Sequence, residues 1–112
     1  MSAERDSELF QALVLNLAQA TWAGLGKIAN PMTGVIERDL AAARQTLDLL
    51  GALESRTRGN LSENERAMLD RTLRELRLNY VDELKKEGAE SERDAEHMES
   101  EGGPAGAEEA KD

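Results

Sequence analysis

Apolar residues recur along most of the chain with a helical period rather than in strict alternation. In the stretch "SELFQALVLNLAQATWAGL", residues 7–25, Leu9, Leu13, Leu17, Ala20 and Gly24 share one side at about 100° per residue. Phe10, Val14, Thr21 and Leu25 widen that side, while Leu15 and Trp22 fall on the far side beside Gln11. This predicts a first helix over about 7–25 with Gly26 as its stop. A helix apolar over most of its circumference needs cover from more than one direction.

A connection follows, "GKIANPMTGVIER", residues 26–38, in which Asn30-Pro31 and Thr33-Gly34 are turn signals. Asp39 is the expected cap of a second helix over about 39–57, with Leu40, Ala43, Leu47 and Leu50 on one face and Leu49 and Leu53 on another. Gly51 lies inside it, where glycine costs about 1 kcal/mol relative to alanine. A close helix approach is the simplest compensation. Gly59 ends this element. Ser62 and Glu65 then have the spacing of a capping box, with Leu61 placed as a hydrophobic staple. They open a third helix over about 62–86, striped by Leu69, Leu73, Leu76, Tyr80 and Leu84. The reading is an all-α fold, a three-helix hairpin or bundle with no internal repeat.

Charge divides the chain unevenly. The 112 residues carry a net charge of −9, and Gly88 to Asp112 hold nine acidic and two basic residues, so −7 of it lies there. That stretch has Met98 as its sole large apolar residue, and it cannot bury enough surface to offset its ordering entropy. The expected organisation is therefore a flexible leader at 1–6, one helical domain at 7–87 and a disordered acidic tail at 88–112. Acidity weighs against a nucleic-acid partner, which calls for concentrated Lys and Arg. The uncharged run from 9 to 26 is too short and too polar, with Gln11, Asn16 and Gln19, for a membrane span. The N-terminus "MSAERDSE" lacks a basic signal-peptide region, and there is no cysteine, so a cytoplasmic location is expected.

The chain is poor in residues that do chemistry. Its one histidine, His97, lies in the tail, and no Glu-x-x-His pair suggests a bundle metal site. The acids of the third helix have bases at helical spacing: Arg66, Asp70 and Arg74 in series, Arg71 with Glu75, and Asp82 with Lys86. A salt-bridged surface explains them. Arg66, Arg74 and Arg77 flank one side of that helix and form a weak candidate for anion contact. Asn60-Leu61-Ser62 matches a glycosylation sequon but reads better as the helix cap. No catalytic residue, no cofactor site and no metal site is expected.

Three helices in roughly 80 residues make a small core, and the first is more apolar than two neighbours readily cover. A homo-oligomer is expected, most simply a two-fold dimer, with Phe10, Val14, Leu15, Trp22 and Leu25 as candidate interface residues. The segments "FQALVLNLAQATWAGLG", "NPMTG", "DLAAARQTLDLLGALESRTRGNLSENE" and "LRELRLNYV" occur in this order over residues 10–81. In them the chain resembles the small bacterial proteins of domain-of-unknown-function family 1844. That resemblance implies a short, cytosolic, helical protein and brings no activity, cofactor or catalytic residue with it. The leading expectation is a non-enzymatic homo-oligomeric interaction or scaffold protein. The alternatives are a regulatory adaptor that docks an unknown protein partner's helix on the first helix, and, behind it, an enzyme whose site forms between subunits.

Overall fold

The computed structural model describes the backbone of residues 2–102 and the side-chain surroundings of residues 2–93. It contains three helices in chain order: α1, Ala3–Gly24; α2, Leu40–Arg56; and α3, Glu63–Gly102. The chain divides into two units, residues 1–81 and 82–112. The first holds α1, α2 and the opening turns of α3. The second holds the rest of α3, where Lys86 Nζ lies 3.1 Å from Glu83 Oε2.

α1 begins four residues before its expected start. Ser2 is the reason: its hydroxyl accepts the Arg5 amide at 3.0 Å, and Glu4 and Asp6 place negative charge in the first turn. Residues 3–6, read from the sequence as leader, are thus the first turn of a capped helix. At the other end Gly26 takes φ 78°, Gly26 N–H donates to Ala23 O at 3.0 Å, and Lys27 N–H donates to Trp22 O at 3.1 Å. This is the Schellman arrangement, which positive φ makes possible.

In the connection, Asn30 organises the turn. Its side-chain Oδ1 accepts from Met32 N–H at 2.8 Å and its carbonyl from Gly34 N–H at 2.7 Å, while its own N–H donates to Val35 O at 2.9 Å. Asp39 then caps α2 through Ala42 N–H at 3.2 Å. The expected capping box opens α3: Ser62 N–H donates to Glu65 Oε1 at 2.8 Å, and Glu65 N–H donates to Ser62 Oγ at 3.2 Å. Leu61 packs against the core beside it.

α3 extends past its expected end near Lys86 into the stretch 88–112, to Gly102. Residues 103–112, the remainder of that stretch, lie outside the described residues.

The core of the first unit is one cluster: Val14, Ala18 and Leu25; Leu40, Ala43, Leu47 and Leu50; Leu69, Leu73 and Leu76. The α2 face is the one its spacing predicts, and so is the first half of the α3 stripe. Leu84, the last member of that stripe, is exposed. α2 runs back along α1, pairing Gly24 with Ala43 and Thr21 with Thr46. α3 returns antiparallel to α2, with Tyr80 reaching Arg44 and Arg77 lying over Gly51.

Two expectations change. The glycine that permits close helix approach is Gly24, not Gly51. A Cβ on Gly51 would meet only Arg77 Nη2 at 3.4 Å, an ordinary contact with the end of a flexible side chain. The second concerns α3, where Arg66, Asp70, Arg74, Arg71 and Glu75 stand at helical spacing without closing to ion-pair distance. Lys86 pairs with Glu83 rather than Asp82. Exposed pairs gain little over solvation, so nothing holds them in one geometry.

Candidate functional site

The rotation of α1 decides which of its apolar residues are available. The arc turned inward carries Val14, Ala18, Thr21 and Leu25, with Phe10, Leu17 and Trp22 partly buried against the same core. Of the five residues proposed from the sequence as an interface, Val14 is 0% and Leu25 1% exposed, so both belong to the protomer's own core. Phe10 and Trp22 also pack there, and Leu15 alone stands well out, at 58%. This corrects the expected placement.

The physical reason is Thr21. A hydroxyl on the inward arc would be costly unless bonded, and here it has two partners. Thr21 Oγ1 donates to Leu17 O at 2.8 Å and lies 2.6 Å from Thr46 Oγ1 on α2. This pair and the contact at Gly24 turn α1 so that Leu9 and Leu13 face outward at 43% and 46% exposure. Asn16 and Ala20 are exposed on the same outer side.

The outer stripe Leu9–Leu13–Asn16–Ala20 follows the alternating four- and three-residue steps of a heptad seam. It lies within the 18-residue run, 9–26, that has no charge, in a chain of which 33% is charged. A second apolar feature is the turn after α1, where Met32 is 91%, Ile36 65% and Val35 52% exposed. A third lies on the outside of α3, at Leu78 and Val81.

The arginines do not gather as the sequence suggested. Arg66 and Arg74 border a shallow groove along α3 with Arg71 and Asp70, whereas Arg77 sits apart over α2. At the α2–α3 corner a cleft of about 330 Å³ brings Arg58 and Arg66 over Leu61 and Leu69, facing Glu54 and Asp70. Guanidinium and carboxylate groups both line it, a mixed rather than anion-selective lining.

Two polar networks tie α3 to the other helices. The Ser7 hydroxyl of α1, beside Glu65, and the Ser62 cap hold the Glu65 carboxyl below the ordinary glutamate pKa. Gln11 Nε2 donates to Ser7 Oγ at 3.1 Å. On α2, Arg44 lies beside Tyr80 and donates from Nε to Asp48 Oδ1 at 3.3 Å, and these two neighbours raise its guanidinium pKa. Sequence spacing pointed to the cap but not to Ser7 or Tyr80, because both links span distant segments.

Among the described residues no three His, Asp or Glu side chains converge as a metal site, and no helix is long and apolar enough to cross a membrane. His97 falls beyond the residues whose side chains are described.

The chain is a small all-α protein whose three helices close one core and leave an uncharged apolar stripe on the first. Residues 8–82 match the family model described as "Domain of unknown function (DUF1844)", two thirds of the chain, and the protein belongs to that family. Neither the curated proteins nor the solved structures offer a match.

Proposed function

We propose that this protein is a non-enzymatic homo-oligomeric interaction protein of the bacterial cytoplasm, assembling through the outer face of α1. The observation that supports it is the position of Leu9 and Leu13: large, apolar and nearly half exposed on a helix with no charge from residue 9 onward. Contiguous apolar patches of this kind mark interaction surfaces. Ordinary solubility favours charge on an outer helix face, and α3 has it in abundance. α1 keeps its charges to its first turns, at Glu4, Arg5, Asp6 and Glu8.

Sedimentation of the full chain at micromolar concentration tests the reading, with Leu13→Glu and Leu9→Glu alongside. The expected result is a wild-type dimer and two folded monomeric variants. Trp22→Glu is unsuited to this purpose, since Trp22 packs on the core. A wild-type monomer would defeat self-association and leave the same face to a partner's helix, the adaptor reading.

A further inference from the structure

The α1 stripe carries more than apolarity; its order along the helix distinguishes its two ends. Leu9 and Leu13 stand toward the N-terminus, Asn16 and Ala20 toward the C-terminus. We propose that two copies of the chain pair their α1 helices antiparallel about a two-fold axis. In that register Leu9 packs on Ala20 of the partner subunit and Leu13 beside Asn16 of the partner subunit. This deepens the self-association reading and rests on it.

Two observations favour a second copy in this orientation. First, a two-fold interface must be self-complementary, and the stripe sets large residues against small ones only when reversed. A parallel pair would stack leucine on leucine at one end and leave a gap at Ala20.

Second, the charges at the two ends differ. Glu4, Asp6 and Glu8 outnumber Arg5 near the N-terminus, while the first charge after the uncharged run is Lys27. Antiparallel pairing brings the acidic turns toward the partner's Lys27 end, whereas parallel pairing brings acid to acid. Asn16, set beside the partner's Leu13, has no polar partner in the seam and costs affinity.

The chain has no cysteine, so one introduced cysteine carries one spin label per protomer. Distances are read by pulsed dipolar spectroscopy on Ala3→Cys and, separately, on Gln19→Cys, both at exposed positions. With a rise of 1.5 Å per residue, the antiparallel register separates the two position-3 labels by about 35 Å along the axis and the position-19 labels by about 14 Å. Asn16→Leu is expected to tighten the dimer about tenfold or more. Short distances at both positions would establish parallel pairing and overturn the register while leaving self-association intact. Long distances at both would place the dimer on another face and overturn the proposal. A monomer by sedimentation, with no dipolar signal, would remove the self-association reading itself.

Discussion

A Cβ built on Gly24 would stand 2.8 Å from the backbone nitrogen of Ala43 and 2.9 Å from its Cβ. The end of α1 and the start of α2 therefore touch backbone to backbone, a contact tightened by the bond from Asp39 N–H to Gly24 O at 2.8 Å. Neither partner can yield without moving a helix. Gly24→Ala is expected to lose about 1–3 kcal/mol by overpacking, less the small gain in helix propensity. Urea unfolding followed by Trp22 fluorescence measures it; an unchanged midpoint would mean the helices are not so close.

Gly51 makes the opposite case. Its added methyl group would meet only the mobile tip of Arg77, so propensity decides the sign. Gly51→Ala is expected to stabilise by about 0.5–1 kcal/mol. The same unfolding assay distinguishes the two glycines, and a destabilised Gly51→Ala would contradict the packing described for α2.

The pair Thr21–Thr46 joins α1 to α2 through hydroxyls 2.6 Å apart, Thr21 buried and Thr46 half-buried. Thr21→Val should cost about 0.5–1.5 kcal/mol, because a hydrogen bond is lost at constant shape. The double variant with Thr46→Val should cost less than the sum of the single changes. A double-mutant cycle showing no coupling would dissolve the pair.

Glu65 supplies a pH dependence. The Ser7 hydroxyl, then the Ser62 cap, lowers its pKa in the folded state. A carboxyl with a depressed folded pKa contributes stability above its unfolded value, near pH 4.3, and loses that contribution as pH falls through the folded pKa. Ser7→Ala should move the Glu65 titration back toward the ordinary value, and Glu65→Gln should flatten this part of the acid limb. Side-chain carbon NMR titration of Glu65 checks the first directly. An unmoved titration midpoint in Ser7→Ala would show that the α1–α3 link does not form.

Much of the local structure was legible because its causes are local. Asp39 next to an apolar period, Ser62 three residues before Glu65, and Gly26 after a long apolar run each specify an end by backbone chemistry within a few residues. The α2 face could be read for the same reason: its apolar positions Leu40, Ala43, Leu47 and Leu50 fill one arc, while Arg44, Asp48 and Arg56 lie elsewhere on the helix.

The sequence by itself therefore determined that there are three helices, where two of the caps lie, which side of α2 turns inward and which family the chain belongs to. Only the tertiary structure decided the rotation of α1. Leucines occupy nearly every arc of that helix, so hydrophobic period alone leaves its inward direction free. The choice falls to contacts made 19 to 25 residues away in the chain, Gly24 against Ala43 and Thr21 against Thr46. Those two contacts send Val14 and Leu25 into the core and leave Leu9 and Leu13 outside, which is where the protein's interaction surface is proposed to lie.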